Sequence, residues 1–217
     1  MNKNFNLTTL KCIIDESINY PAPSGYSPQG RSGAAGLGTL LFGLVVSLRA
    51  KNILELGTAS GGSAYPLILG AYLTSGKVVS VDNGLFPINR SWINNIAIEN
   101  ISEYQEFIQA DAIQYLKNRK EPIDLVHIDD WHDRTHVLTE LELIKDLLTP
   151  CGIITMHDAM YQNFEPKYHE ELDAGGEFGG GGVYKAVKDF VAKYPDDWEY
   201  VTIPADHGLT ILRKIHK

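Results

Sequence analysis

The chain has 217 residues, of which 44% are hydrophobic and 21% are charged, a composition typical of a globular protein large enough for one domain with a sizeable core. The formal net charge of −8 argues against a nucleic-acid partner and against an anionic membrane surface. The N-terminus has no long apolar run, and the two cysteines, Cys12 and Cys151, have no metal-binding spacing, so we expect a cytoplasmic protein with reduced thiols.

The N-terminal part of the chain is predicted to be helical. Apolar residues at helical spacing predict an amphipathic helix over 8–19, and a loop rich in Pro, Gly and Ser follows at 20–33. A second helix is predicted over 34–49, where the apolar stretch is shorter than the roughly 20 residues that span a bilayer. Both helices could pack on a second copy, so a homo-oligomer is compatible with the sequence.

Strands then alternate with helices. This pattern predicts a Rossmann-like, doubly wound α/β sheet that is mostly parallel, with helices on both faces. The tail segments WEYVTI and GLTILRKI predict an antiparallel strand pair that completes the sheet of a single domain, 1–217. The predicted strands are 52–57, 77–82, 104–109, 123–129 and 152–158, and the predicted helices are 62–73, 87–99, 111–118, about 135–147 and 183–194.

A long segment at 159–182 interrupts this alternation and ends in GGEFGGGG. A structureless segment of this length inside a compact domain is more often a functional cover than a spacer. We therefore predict a glycine-rich lid that excludes water, with Tyr161, Tyr168 and Phe178 contributing apolar surface.

The loop ELGTASGGS at 55–63 connects a strand to a helix and predicts a nucleotide-like ligand. Its spacing is not the G-x-G-x-x-G that seats a pyrophosphate, and Glu55 would repel one, so a ribose-bearing zwitterion such as S-adenosylmethionine (SAM) fits better. A plain strand–helix turn is the alternative. The candidates to line the ligand from this loop and the next strand ends are Gly57, Ser60, Gly61, Asp82, Asp111 and Ala112. Contacts from Glu55 and Ser63 are implied by a family resemblance that the later strand ends complete.

Acidic residues also follow the later strands. Asp129 and the pair His157-Asp158 come from strands predicted to be neighbours, and parallel strands present their carboxyl ends at one edge. Clustered acids repel each other unless a cation lies among them, so these residues predict a divalent metal site. In the alternative interpretation the acids cap a helix and a turn, and His157 is a buried, hydrogen-bonded residue.

Five stretches together resemble the class I SAM-dependent O-methyltransferases that use a divalent metal, over roughly residues 27–160. DLVHIDDWHDR is similar to the corresponding stretch of catechol O-methyltransferase. That resemblance implies that Asp129 binds metal, that Asp130 and Trp131 flank the adenine, and that His132 takes the proton of the substrate hydroxyl. The five stretches are ILELGTASGGSA, VVSVD, QADA, DLVHIDDWHDR and LLTPCGIITMHDA.

The chain departs from the catechol enzymes at two positions. Ala159 stands where they carry a metal-binding Asn, and His132 stands where they carry a Lys base. Both departures resemble the macrolide-sugar O-methyltransferases, which implies Asp129, His157 and Asp158 as metal ligands. Magnesium is the expected ion, with manganese, iron or zinc as alternatives because imidazole is a softer ligand than carboxylate.

The expected activity is therefore transfer of a methyl group from SAM to a hydroxyl of a phenol, catechol, sugar or natural product. A hydroxylase-like enzyme and an inactive cofactor-binding relative remain alternatives, whereas the absent G-x-G-x-x-G disfavours a dehydrogenase. Among the other charged residues nearby, we interpret His127 as a core histidine, Asp133 as a helix cap, and Arg134 and His136 as solvated helix residues.

Overall fold

The structure is a computed structural model that describes residues 37–59, 61–85, 100–160, 181–204 and 207–215. The predicted helices over 8–19 and 87–99, the loop at 20–33, Ser60 and nearly all of the predicted lid lie outside the described residues. The elements, in chain order, are α1 (Gly38–Leu48), β1 (Asn52–Leu56), α2 (Ala64–Thr74), β2 (Lys77–Asp82), a 3₁₀ turn (Ile101–Tyr104), β3 (Gln105–Gln109), α3 (Ala112–Asn118), β4 (Ile123–Ile128), α4 (Arg134–Ile144), β5 (Leu148–Met156), α5 (Gly182–Lys193), β6 (Trp198–Ile203) and β7 (Leu209–Lys214).

These strands form one seven-stranded sheet in the order β3-β2-β1-β4-β5-β7-β6. Strands β1 to β5 are parallel to one another, and β7 runs antiparallel to both β5 and β6. The predicted Rossmann-like sheet with a C-terminal antiparallel pair is confirmed. The strand order reverses direction between β1 and β4, which is the position where open α/β sheets bind their ligands.

The register of the strands brings their ends together. Leu56, the last residue of β1, pairs with Val81 of β2 and with Ile128 of β4, and Ile128 pairs with Met156 of β5. Because each of these strands ends in the same row, the residues that follow them emerge side by side at the carboxyl edge of the sheet. The polar residues predicted to bind ligands are therefore neighbours in the fold.

Helices cover both faces of the sheet and bury its apolar side chains. On one face α1 and α2 pack closely, because a Cβ at Gly70 would lie only 2.6 Å from Val45 Cγ1. On the other face α3, α4 and α5 bury residues such as Leu116, Val137 and Phe190. Among the described residues, no helix combines the length and the apolarity that crossing a membrane requires.

Strand β5 begins at Leu148, four residues before the predicted start at Gly152. The sequence TPCG at 149–152 has the composition of a turn, but Leu148 pairs with Ile123 of β4, and a register shift between Ile123 and Leu125 accommodates the extra length. The ladder therefore starts earlier than the local sequence indicates, because the neighbouring strand provides hydrogen-bond partners.

Gly57 permits the close approach of the β1 end to the β4 end. Its φ is +84°, and a Cβ there would lie 2.2 Å from the carbonyl oxygen of Asp129 and 2.7 Å from Cα of Asp130. No side chain fits in that space, so glycine is required by both its conformation and its contacts.

We expect Gly57→Ala to lower the free energy of unfolding by about 2–5 kcal/mol, since an L-residue at positive φ and an overpacked contact both destabilise. Gly43→Ala in α1 is the matched control. Its Cβ would meet nothing within 4 Å in the described part of the chain, and removing a mid-helix glycine should stabilise by roughly 0.5–1 kcal/mol. Urea unfolding of both variants measures the difference, and equal effects would contradict this account of the β1–β4 contact.

Candidate active site

The loop after β1 is held by the carboxylate of Asp82 at the end of β2. The backbone N–H groups of Thr58 and Ala59 both donate to Asp82 Oδ2, at 2.9 Å each, and Gly84 N–H donates to Oδ1 at 2.7 Å. Asp82 thus lies at the carboxyl edge of the sheet, as predicted, and it organises the glycine-rich loop. Its contact with a ribose stays a prediction.

Glu55 lies beneath the same loop and is fully buried. Its two carboxyl oxygens accept hydrogen bonds from the hydroxyls of Thr58, at 2.8 Å, and Ser63, at 2.6 Å. Burial raises the pKa of Glu55 to about 7, although the hydrogen bonds from these hydroxyls work in the opposite direction. These hydrogen bonds from Glu55 fix the shape of the loop, and direct contact of Glu55 and Ser63 with SAM stays a prediction.

Asp111 and Ala112 follow β3 at the same edge. Asp111 is the N-cap of α3, where its Oδ1 accepts a hydrogen bond from Gln114 N–H at 2.9 Å. The backbone N–H of Ala110 donates to the Asp82 carbonyl oxygen at 2.9 Å. This backbone hydrogen bond therefore joins the ends of β2 and β3, where Asp82 and Asp111 lie, next to the glycine-rich loop.

The segment between β4 and α4 carries the predicted catalytic residues. It is anchored at one end by Asp129 N–H, which donates to the Leu56 carbonyl at 2.8 Å. At the other end Asp133 caps α4, with its Oδ1 accepting from Thr135 and His136 N–H groups, which confirms that prediction. Between these anchors the Trp131 side chain is 45% exposed, a surface against which a flat ring could lie.

Four residues at the ends of β4 and β5 form what we call the strand-end cluster: Asp129, His132, His157 and Asp158. Nε2 of His132 lies 3.3 Å from Asp129 Oδ1 and 3.5 Å from Asp158 Oδ2. Nδ1 of His157 lies 3.2 Å from Asp129 Oδ1 and 3.2 Å from Asp158 Oδ1. Sequence reasoning assigned His132 to the substrate and His157 to the metal, whereas the structure places both imidazoles against the same two carboxylates.

The two carboxylates of this cluster differ in their electrostatics. Burial by itself raises the pKa of Asp129, but the charge of His157 and the hydrogen bonds from His132 and His157 lower it below its ordinary value. Burial raises the pKa of Asp158, and here the neighbouring charges do not reverse the shift. Asp158 Oδ1 is also buried and makes no hydrogen bond among the described residues, although it lies 3.2 Å from His157 Nδ1 and 3.6 Å from His207 Nδ1.

The donor set of the strand-end cluster fits a divalent cation. One ligand atom each from Asp129, His132 and Asp158 lies within 4.8 Å of the others, so this set contains His132 in place of the predicted ligand His157. Asp158 Oδ1, which makes no hydrogen bond among the described residues, is the kind of oxygen that a cation satisfies. Asp158 also has a φ of +55°, a conformation uncommon outside glycine that is often found at functional sites.

A second polar group, formed by Asp130, His136 and Glu140, was not predicted from the sequence. His136, predicted to be solvated, has an 18% exposed side chain, and its Nε2 lies 3.1 Å from Asp130 Oδ2 and 3.5 Å from Glu140 Oε1. That prediction was wrong, because the i,i+4 spacing of His136 and Glu140 places both on one face of α4. Burial alone would lower the pKa of His136, but the two carboxylates outweigh it and raise that pKa to about 10.

Two neighbouring predictions have different outcomes. Asp130 directs its carboxylate to His136, and its position beside an adenine stays a prediction. His127 is a core residue, as predicted: it is fully buried and its Nδ1 lies 3.0 Å from Thr155 Oγ1. Burial lowers the pKa of His127 to about 4, so it is neutral near pH 7.

The sheet order, the glycine-rich loop at the switch point and the acids at the strand ends define a class I methyltransferase fold. Residues 54–159 match the family model described as "Methyltransferase domain". Proteins named rhamnosyl O-methyltransferase, from Mycobacterium bovis (strain BCG) and Mycobacterium tuberculosis, are 26% identical over 162 residues. The match covers 72% of this chain and 62% of each relative, so the chain spans less than two thirds of the length of these relatives.

Solved methyltransferase structures share the fold. An SAH-bound methyltransferase from Podospora anserina has a TM-score of 0.65 at 18% identity, covering 98% of this chain and 89% of that one. An O-methyltransferase from Bacillus cereus in complex with SAH has a TM-score of 0.63 at 21% identity, with 99% and 94% covered. The O-methyltransferase TomG from Streptomyces achromogenes, in complex with SAM, has a TM-score of 0.62 at 17% identity, with 100% and 93% covered.

The pKa of Glu55 makes a prediction about stability. Because this pKa is raised from 4.5 to about 7 on folding, the folded state binds more protons than the unfolded state in that window. The contribution of Glu55 to stability is therefore complete below pH 4.5 and is lost as the pH rises through about 7.

In Glu55→Gln this pH dependence should disappear. We expect the stability of the unchanged chain, relative to Glu55→Gln, to fall between about pH 5 and about pH 8, by roughly 1.4 kcal/mol per pH unit at most. Urea unfolding at the two pH values measures this difference, and the subtraction removes the contributions of all other titrating groups. Identical pH dependence in the two proteins would contradict the buried, proton-binding role of Glu55.

Proposed function

We propose that this chain transfers a methyl group from SAM to a hydroxyl oxygen of a small molecule, with a divalent cation at the strand-end cluster and His132 as the base. One observation carries the proposal. The His132 Nε2 atom lies within 3.5 Å of both Asp129 and Asp158, at the sheet edge that also carries the glycine-rich loop. This arrangement supports a common location for the proposed proton acceptor, cation site and methyl-donor site.

The SAM site would be formed by the loop that Asp82 holds. The loop residues Gly57 and Gly61 have φ values of +84° and +88°, a conformation that favours glycine. Trp131, with its exposed ring, lies beyond the end of β4, the strand next to this loop. The solved neighbours whose names include bound SAM or SAH share this fold, which supports the cofactor assignment.

The cation would be held by Asp129 and Asp158, with His157 as a third ligand. A divalent cation bound there supplies positive charge that favours the deprotonated form of an acceptor hydroxyl. The residues around it have separate tasks. His157, which is 1% exposed, would contribute the Nδ1 atom that lies 3.2 Å from both carboxylates. The cap by Asp133 fixes the start of α4 and with it the position of His132.

In the proposed reaction the acceptor hydroxyl gives its proton to His132 Nε2. Its oxygen takes the methyl group of SAM, so that one C–O bond forms, one C–S bond breaks and the sulfur leaves as a neutral thioether. Neither an oxidant nor a reductant is needed. Imidazole is a common general base in enzymes, which suits His132 to this transfer.

The acceptor class is the least constrained part of the proposal. The curated relatives are named for a rhamnosyl acceptor, which favours a sugar hydroxyl over a phenol or a catechol. We therefore propose methyl α-rhamnoside as the first acceptor to assay and catechol as the second.

We expect His132→Ala to lower the turnover number by about 10²–10⁴-fold, the usual contribution of a general base. SAM affinity and bound metal should stay near those of the unchanged chain, because this variant removes only the proton acceptor. Thioether formation, isothermal titration with SAM and elemental analysis measure the three quantities. Loss of metal from His132→Ala would assign His132 as a ligand, and undiminished turnover would exclude it from the chemistry.

Asp129→Asn should lose both metal and turnover, because the charged ligand that both imidazoles contact is removed. Asp146→Asn is the matched control, since Asp146 has an 80% exposed side chain away from the cluster. The control should retain full metal content and full turnover. Equal behaviour of the two variants would contradict the assignment of Asp129.

Removal of the cation is the third test of the proposal. Dialysis against a chelator should abolish methyl transfer, and added Mg²⁺ or Mn²⁺ should restore it, because the hydroxyl loses the charge that favours its deprotonation. Turnover that is unchanged by the chelator, in protein shown by elemental analysis to be free of metal, would contradict metal assistance.

A further inference from the structure

We infer that Asp130, His136 and Glu140 form a second divalent-cation site, which ties the β4–α4 segment to helix α4 beside the strand-end cluster. We call these three residues the helix-side cluster. The inference does not depend on the proposed methyl transfer, because it rests on contacts that the strand-end cluster does not share.

The geometry of the helix-side cluster suits a small cation. One ligand atom from each of the three residues lies within 4.8 Å of the others. His136 Nε2 is 3.1 Å from Asp130 Oδ2 and 3.5 Å from Glu140 Oε1. Metal–ligand bonds of 2.0–2.1 Å in a tetrahedral arrangement place ligand atoms about 3.3 Å apart, so the two separations from His136 Nε2 are compatible with donors around one ion.

Glu140 supplies the independent evidence for a missing partner. Its side chain is fully buried on the inner face of α4, between the apolar residues Val137 and Leu141. Neither of its carboxyl oxygens has a hydrogen-bond partner among the described residues, and Asp130 Oδ1 is also buried without one. Burial raises the pKa of Glu140 well above its ordinary value. A buried carboxyl in this state is costly unless a cation or a proton compensates it.

The donor set indicates which ion fits. One imidazole and two carboxylates favour Zn²⁺, Mn²⁺ or Fe²⁺ over Mg²⁺ and Ca²⁺, which prefer oxygen ligands alone. An ion can reach the site, because the His136 and Asp130 side chains retain 18% and 17% of their exposure. In the alternative without a metal, the Glu140 carboxyl is neutral because it holds a proton. The following experiment separates this state from a bound metal.

The position of the site suggests what an ion there would do. Asp130 directly follows Asp129, and a Cβ on Gly57 would meet the backbone of both residues. An ion that joins Asp130 to His136 and Glu140 would fix this backbone relative to α4. It would thereby hold Asp129 in the strand-end cluster without contacting the substrate.

The test is the Zn²⁺ content of the full chain after loading with Zn²⁺ and desalting, measured by elemental analysis. Glu140→Gln should hold one equivalent fewer than the unchanged chain. Glu142→Gln, two residues along the same helix and bonded to Lys193 and Tyr194 instead, should hold the same amount as the unchanged chain. Asp158→Asn reports separately on the strand-end cluster, so a failure of either site is distinguished from a failure of the other.

Thermal unfolding keeps the inference testable even if Zn²⁺ also binds elsewhere. Without metal, Glu140→Gln should unfold at the same temperature as the unchanged chain or higher, since it removes an uncompensated buried carboxyl. With Zn²⁺, the unchanged chain should gain more than the variant. His136→Gln should also gain less from Zn²⁺ than the unchanged chain, although without metal it should unfold at a lower temperature because it loses the ion pairs of His136 with Asp130 and Glu140. Equal Zn²⁺ content and equal Zn²⁺-induced shifts in the unchanged chain and both variants would overturn the second site.

Discussion

Compensation of buried negative charge at the carboxyl edge of the sheet is the constraint on which the site depends. The strand register brings acidic residues to this edge, and their negative charges are compensated in different ways. Glu55 is satisfied by two hydroxyls and by a raised pKa. Asp129 is satisfied by two imidazoles. Asp158 and Glu140 retain oxygens without hydrogen-bond partners among the described residues. Buried polar atoms are normally paired, so Asp158 at this edge and Glu140 on the buried face of α4 support the two proposed cation sites.

The contact between β1 and β4 connects this electrostatic arrangement to the backbone. Because Gly57 leaves no space between its own Cα and the Asp129 carbonyl, the donor loop and the acidic segment are held at a fixed separation. Asp82 holds the other side of the same loop through two backbone N–H groups. The proposed methyl donor and the proposed cation would therefore be positioned by rigid strand ends, and accurate placement of reacting groups contributes much of the rate of such reactions.

Most of the architecture could be predicted from the sequence, because strand and helix periodicities are local. The predicted strand at 77–82 is β2 itself, and the caps at Asp111 and Asp133 follow from the short-range hydrogen bonds that Asp makes at helix starts. The early start of β5 depends on pairing with Ile123, which no local pattern reports. The misinterpretation of His136 has the same origin, because Asp130 approaches it only through the path of the segment between them.

The central claim is that a divalent cation lies between Asp129 and Asp158 when the protein is ready to act. Crystals grown with Mn²⁺ and SAH, measured at a wavelength where Mn²⁺ scatters anomalously, test it directly. The account predicts an anomalous peak within bonding distance of both carboxylates, next to the bound cofactor product. Bound SAH with no anomalous density between Asp129 and Asp158 would contradict it.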